Sequence, residues 1–158
     1  MSLKIEELKR FAAGLAASPE RWQHLVRHAD DMRVYAQIWD DDDVNAWLIC
    51  WSEDQDTGFH DHDDSAAAIT VVAGRVREDR LTIGGPPHSR ELGPGATFTL
   101  APVAIHRVMH AGDQPAVTIH AYSPPLRRTG AYRIAVDGEL ERESQSFEAE
   151  LHAAQALA

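Results

Sequence analysis

Apolar and polar positions divide the chain into a short helical start and a long series of strands. Over residues 3–17, Ile5, Leu8, Phe11, Ala12 and Leu15 recur at helical spacing with charges between them, which puts one apolar stripe on a helix. Ser18 and Pro19 then read as the N-cap and first position of a second helix. That helix would bury Trp22, Leu25 and Val26 and turn His24 and His28 to solvent. From Arg33 the period falls to two: Val34, Ala36 and Ile38 alternate with Arg33, Tyr35 and Gln37, as on a strand with two unlike faces. Residues 44–51, Val-Asn-Ala-Trp-Leu-Ile-Cys-Trp, are apolar but for Asn45, the pattern of a strand buried on both faces. Further strands are predicted over 65–76, turning at Gly74 and continuing over 76–83, and then over 98–100, 105–109 and 116–122. Gly84-Gly85-Pro86-Pro87 with His88 behind it reads as a loop, and Gly93-Pro94-Gly95 as a tight turn. Ser123-Pro124-Pro125 ends the strand before it. Residues 132–136 and 139–142 flank Asp137-Gly138, a hairpin signal, and 147–157 is predicted to be a helix that frays toward its end.

Many short strands punctuated by glycine and proline predict a mainly β fold, a sandwich or barrel, with an N-terminal helical segment. No internal repeat, low-complexity tract or linker divides the chain. The expectation is one domain over 1–158, with helices in 1–30, a β-barrel over 33–142 and a helical tail over 147–157. Composition narrows the partners. The 158 residues carry a net charge of −10, and an acidic chain without a basic stripe is a poor ligand for nucleic acid or an anionic membrane. The four consecutive acids Asp40 to Asp43 read as a solvated turn, since the alternating spacing and glycine of a calcium loop are missing. Cys50 is the only cysteine, which rules out an intrachain disulfide. A charged N-terminus and the lack of a long apolar run predict a soluble, cytoplasmic protein, a monomer or small homo-oligomer.

Candidate chemistry concentrates in Thr57-Gly58-Phe59-His60-Asp61-His62-Asp63-Asp64-Ser65. On a strand, His60 and His62 project side by side and Asp61 points away. Two imidazoles on one face can share a divalent transition metal, which then needs a third protein ligand. His106, in the 105–109 strand after a Gly/Pro turn, is the first candidate. His88 and His110 are the alternatives. A second cluster sits on the strand over 116–122, where Thr118, His120 and Tyr122 share one face.

The order Gly-x-His-x-His, then Gly74, then a third histidine after a turn resembles the two motifs of the cupins, small antiparallel jelly-roll barrels that hold a metal inside. Cys50-Trp51, Phe59 to Ser65, Gly74, His106-Arg107-Val108 and His120-Ala121-Tyr122-Ser123-Pro124-Pro125 together are similar to cysteine dioxygenase and its thiol dioxygenase relatives. The resemblance implies a mononuclear Fe(II) on His60, His62 and His106, with open positions for a small thiol and O2. It implies a hydrogen-bonded row, Thr118, His120 and Tyr122, that ends in a tyrosine hydroxyl near the iron. A glutamate ligand found in many cupins would fall at Ala67, which agrees with a neutral three-histidine site. Neutral ligands leave the iron more positive and favour an anionic thiolate.

Two departures follow from the same comparison. The animal enzymes crosslink the tyrosine to a cysteine at the position of Ala67, so no Cys–Tyr crosslink is expected here. Gln37 stands where those enzymes grip the substrate carboxylate with an arginine. Glutamine can hydrogen-bond a carboxylate without pairing with it as a cation. Some bacterial relatives with this glutamine prefer 3-mercaptopropionate and recruit an arginine from beyond the tyrosine strand, which makes Arg127, Arg128 and Arg133 candidates beside Gln37 and Tyr122. The expected function is oxidation of cysteine or 3-mercaptopropionate to its sulfinic acid. Another metal-dependent cupin enzyme, or a non-catalytic metal-binding module, is the alternative.

Overall fold

The apolar stripe of residues 3–17 becomes helix α1 (Ile5–Ala16), which buries Leu8, Ala12 and Leu15. The Glu7 carboxylate accepts the Lys4 backbone N–H at 2.8 Å and closes the first turn. The computed structural model describes residues 1–152. Beyond α1 the chain forms β1 (Val34–Asp40), β2 (Asn45–Trp51), β3 (His60–Asp61), β4 (Ala66–Ala73), β5 (Arg75–Arg80), β6 (His88–Leu92), β7 (Thr97–Leu100), β8 (His106–Ala111), β9 (Ala116–Ser123), β10 (Arg128–Ile134) and β11 (Leu140–Ser146), followed by α2 (Phe147–His152). They build a five-stranded sheet in the order β1-β2-β9-β4-β7 and a six-stranded sheet in the order β11-β10-β3-β8-β5-β6. The pairings are antiparallel.

The five-stranded sheet is covered on both sides, so β2 and β9 are buried along their whole length. Its outer face (Ala46, Leu48, Cys50, Ala68, Val117, Ile119 and Ala121) packs under Leu8, Ala12 and Leu15 of α1. Its inner face (Trp47, Ile49, Trp51, Ile69 and Val71) meets Val76 and Val108 of the opposite sheet. Double burial explains why residues 44–51 are apolar but for Asn45, because neither parity faces water, and the Asn45 amide is satisfied by the Leu126 backbone. The run of four aspartates is the β1–β2 turn, where Asp41 Oδ1 accepts the backbone N–H groups of Asp43 and Val44 at 2.8 and 2.9 Å. No described helix is long and apolar enough to cross a membrane.

Three local expectations are corrected. The second helix is two short 3₁₀ turns, Pro19–Arg21 and Gln23–Leu25. Ser18 does not cap it: its hydroxyl donates back to Gly14 O at 3.1 Å, and the Trp22 indole N–H donates to Leu15 O at 3.0 Å. Both bonds tie the segment to the end of α1, and satisfying those free carbonyls competes with extending a new helix. His88 opens strand β6 and is not in a loop; antiparallel pairing with β5 extends to Arg80 opposite His88. Strand β10 begins at Arg128, four residues earlier than the pattern suggested, and carries Gly130 opposite Asp61. The hairpin at Asp137-Gly138 forms as predicted. The predicted C-terminal helix is present over Phe147–His152, while 153–157 lies outside the described residues.

Gly74 turns β4 into β5 at φ +65°, and a Cβ there would stand 2.7 Å from Ala116 Cα and press on Pro115 O. A left-handed residue with a side chain costs roughly 1–2 kcal/mol before any clash. Gly74→Ala is therefore expected to lower stability by about 2 kcal/mol or more, read from the urea midpoint. A wild-type midpoint would contradict the close approach.

Candidate metal centre

Strand β3 is two residues long. It lies between β8 and β10, with His60 opposite both His106 and Ala131. His62 follows at the start of a turn closed by the Ser65 N–H on His62 O at 2.9 Å. The i, i+2 parity holds past the strand's end: the His60 and His62 rings lie 4.9 Å apart and each stands within 5.0 Å of the His106 ring. One nitrogen from each lies within 4.8 Å of the others, and all three residues are buried.

The hydrogen bonds decide which nitrogens converge. His60 Nδ1 donates to Gly58 O at 3.0 Å, and His106 Nδ1 donates to Glu78 Oε2 at 2.9 Å. Each donation leaves the lone pair on Nε2. His60 Nε2 and His62 Nε2 are 3.2 Å apart. His106 Nε2 is buried with no hydrogen-bond partner among the described residues, as is His62 Nδ1. Burial first, then the neighbouring histidines, hold His62 and His106 well below the ordinary imidazole range, so both are neutral at pH 7. Converging, desolvated lone pairs are unfavourable without a cation between them. Two imidazole nitrogens about 2.1 Å from one ion at right angles sit about 3 Å apart, close to the spacing of His60 and His62. The residues fit a transition metal.

Two carboxylates hold this arrangement. Glu78 of β5 is 1 % exposed; it receives Arg80 Nη2 at 3.1 Å and Arg90 Nε at 3.1 Å besides His106. Glu78 shares the inward parity of Val76, and an acid on that parity is the signal that sequence reading passed over. Asp61 points away from its flanking histidines, as expected, and accepts Arg142 Nε at 2.8 Å, Tyr132 OH at 2.6 Å, Gly130 N at 3.1 Å and Asp63 N at 2.9 Å. Gly130 leaves room for this clamp, since a Cβ would stand 2.6 Å from Arg142 Nη2. Burial alone would raise the Asp61 pKa, but the bonds from Arg142 and Tyr132 outweigh it and hold the carboxyl well below its usual range.

On β9 a chain of hydrogen bonds runs along the inner face. Trp51 Nε1 donates to Thr118 Oγ1 at 2.9 Å, Thr118 Oγ1 lies 2.7 Å from His120 Nε2, and His120 Nδ1 lies 3.1 Å from Tyr122 OH. Indole can only donate, so Thr118 Oγ1 accepts from Trp51; the hydroxyl keeps a second lone pair as well as its proton, and the row through His120 to Tyr122 is compatible with either imidazole tautomer. Burial first, then the neighbouring His60 and the Arg33 cation, takes His120 down to about 3. Burial, with the charge of Glu150, raises Tyr122 well above its usual value and keeps the phenol protonated. The Tyr122 ring stands 5.2 Å from that of His62. Ala67 is its cross-strand partner, and Cys50 lies on the other face under α1.

The remaining candidates lie elsewhere. His88 is exposed, and His110 Nε2 bonds Gln114 O at 2.7 Å, outside the cluster. Arg127, Arg128 and Arg133 are exposed and engage Asp40 at 3.4 Å, Ser144 at 3.0 Å and Glu141 at 2.8 Å. Gln37 is exposed on β1 opposite Trp47, on the inward parity it shares with Tyr35. Sequence reading missed Glu78, and it also missed Arg33, which is buried against α2.

The cysteine dioxygenase type I family model matches residues 2–134. Cysteine dioxygenase type 1 of Danio rerio is 24% identical over 138 residues, covering 80% of this chain and 68% of its own. The Rattus norvegicus protein is 25% identical over 142 residues, covering 82% and 70%. Solved structures share the fold. A conserved protein with a double-stranded β-helix domain from Klebsiella pneumoniae aligns with TM-score 0.57 and 18% identity over 65% of this chain and 80% of that one. A cupin superfamily protein from Desulfitobacterium hafniense aligns with TM-score 0.55 and 11% identity over 65% and 87%.

Two outcomes are expected from this geometry. Glu78→Gln weakens the hold on His106 and lowers affinity for a divalent transition metal by roughly 10–100-fold, measured by metal titration of the stripped protein; unchanged affinity would make Glu78 a structural acid only. The stability that Asp61 contributes is fully present above its unfolded pKa of about 4 and is lost as pH falls toward its depressed folded value. Asp61→Asn should therefore shrink the drop in urea midpoint between about pH 6 and about pH 3. An undiminished drop would assign acid sensitivity to other groups.

Proposed function

The chain belongs to the cysteine dioxygenase type I family, and from that premise we propose that it is a non-haem iron thiol dioxygenase, converting a small thiol and O2 to the sulfinic acid, with cysteine and 3-mercaptopropionate as the substrate candidates. Both oxygen atoms end on sulfur, so the stoichiometry is RSH + O2 → RSO2H and no external reductant enters. The observation that carries the reading is one juxtaposition. Three buried histidines with converging nitrogens stand beside a buried tyrosine whose hydroxyl ends a hydrogen-bonded row from Trp51 through Thr118 and His120.

His60, His62 and His106 would hold the metal. When bound, Fe(II) supplies a redox-active Lewis acid with positions left open for a thiolate and dioxygen. The protein's own contribution is positioning and polarity. Glu78 fixes the His106 tautomer and raises its basicity as a ligand. Tyr122 offers a protonated hydroxyl at the edge of the cluster, where a developing negative charge on the reacting groups is met by a donor already in place. His120 and Thr118 act as positioning residues: they hold the phenol oxygen in place through the contact with His120 Nδ1. The apolar inner wall of Trp47, Ile69 and Leu100 excludes bulk water and strengthens each of these interactions. Gln37 stands at the exposed end of the inward row and offers a neutral hydrogen bond at most.

The test combines metal analysis with oxygen consumption on L-cysteine, 3-mercaptopropionate and a non-thiol analogue. Uptake of one O2 per thiol with sulfinate as product is expected. Uptake with the non-thiol analogue, or no iron dependence, would favour a different cupin chemistry. Tyr122→Phe should keep its metal and lose a factor of roughly a hundred in turnover, the scale of one preorganised donor. Unchanged kinetics would make Tyr122 a packing residue.

A further inference from the structure

The three histidines differ in how their outer nitrogens are held. His60 Nδ1 is fixed by Gly58 O at 3.0 Å and His106 Nδ1 by Glu78 Oε2 at 2.9 Å. His62 Nδ1 is buried and has no hydrogen-bond partner among the described residues. His62 Nε2 faces His60 Nε2 at 3.2 Å, so Nδ1 is the atom turned outward. A metal-ligating imidazole almost always gives its second N–H to an acceptor, which fixes both the tautomer and the ring angle. For His62 that acceptor has to be found.

Strand β10 supplies a candidate. Its antiparallel register sets Ala131 opposite His60 and Gly130 opposite Asp61. One position back, Thr129 falls opposite His62, just past the end of β3. The facing is fixed by the alternate residues: the Tyr132 hydroxyl reaches Asp61 at 2.6 Å on the outer face, which turns Thr129 and Ala131 to the face of the histidines. Thr129 is fully buried, and its Oγ1 also has no partner among the described residues. Cβ atoms of residues directly opposite stand about 4.5–5.5 Å apart, within reach of a threonine hydroxyl for the near ring nitrogen of a histidine. The other unpartnered buried atoms do not compete. Trp47 Nε1, Arg33 Nη1 and Arg80 Nε can only donate, His106 Nε2 belongs to the cluster, and Glu150 Oε1 lies 3.6 Å from Arg33 Nη1. Among the described residues Thr129 alone combines an unpartnered acceptor with the right register.

We infer that Thr129 is the outer partner of His62: its hydroxyl accepts the Nδ1–H and commits the Nε2 lone pair to a divalent transition metal. Thr129 is a positioning residue and acts on the metal through His62. The inference rests on the three histidines holding a metal, and not on the thiol chemistry proposed above. A neutral imidazole can carry its proton on either nitrogen. Once Nε2 binds an ion the proton has to sit on Nδ1, and the hydroxyl then has a donor to accept. Metal binding therefore satisfies two buried polar groups that are otherwise left unpaired, which removes a desolvation cost from the protein as it adds a ligand bond.

The test uses Co(II) titration and urea unfolding of the stripped protein, and needs no turnover. Thr129→Val keeps the shape of the side chain and deletes the hydroxyl. Its Co(II) affinity should fall roughly tenfold, the lower end of the range for losing an outer partner because a hydroxyl is a neutral acceptor. Thr129→Ser keeps the hydroxyl and should restore most of that loss. The urea midpoint of stripped Thr129→Val should not fall below that of the wild type, since valine removes a buried polar group that had no partner. A threonine that only supports the strand would move affinity and midpoint down together, and that result overturns the inference. So does wild-type affinity in Thr129→Val, or a Thr129→Ser variant as weak as the valine one. A wild type that takes up no Co(II) would overturn the metal centre itself, whereas a wild type that binds with Thr129→Val equal to it overturns the role of Thr129 alone.

Discussion

A two-residue strand cannot hold two histidines in register by backbone pairing alone. β3 shares only short ladders with β8 and β10, and the residue between the histidines supplies the rest. Asp61 gathers donors from β10, β11 and the turn after His62 into one carboxylate, so the backbone that carries both imidazoles is fixed from behind. Glu78 does the same for His106 from the neighbouring strand. The cluster is thus positioned by two buried acids that never face it with a free oxygen. Without that support only the short ladders of β3 to its two neighbours would fix the histidines. With it, their nitrogens are held together at a cost in desolvation that only a cation offsets.

Parity organises everything else. The five-stranded sheet has one face for α1 and one for chemistry, and successive residues alternate between them. Thr118, His120 and Tyr122 point inward while Val117, Ile119 and Ala121 pack outward. Cys50 sits on the outward face and Trp51 on the inward one, so the chain's single thiol is separated from Tyr122 by the sheet itself, and a methyl group faces the tyrosine from Ala67.

What could be read from the sequence follows from that alternation. The histidine pair and the Thr118–His120–Tyr122 row were legible because an i, i+2 rule needs no knowledge of tertiary contacts. The double burial of residues 44–51 was legible because neither parity carried a charge. Glu78 was not read, although its parity with Val76 placed it inside; a charged residue in the run Arg75 to Arg80 suggests a solvated strand until its arginine partners are seen around it. The second helix was misread because its apolar spacing is satisfied equally well by two tight turns tied to α1 by Ser18 and Trp22. Arg33 escaped because the alternation marked it as one member of a polar face. Nothing local says that a helix more than a hundred residues later will cover that face.

The position of α2 after every strand of both sheets has a consequence for how the protein is made. The residues that fix Asp61 come from β10 and β11, and α2 follows β11 without a gap, so the elements that shape the cluster and the one that covers it belong to the same closing stretch of the described chain. A domain folds as a unit, and assembling the cluster and covering it are one event.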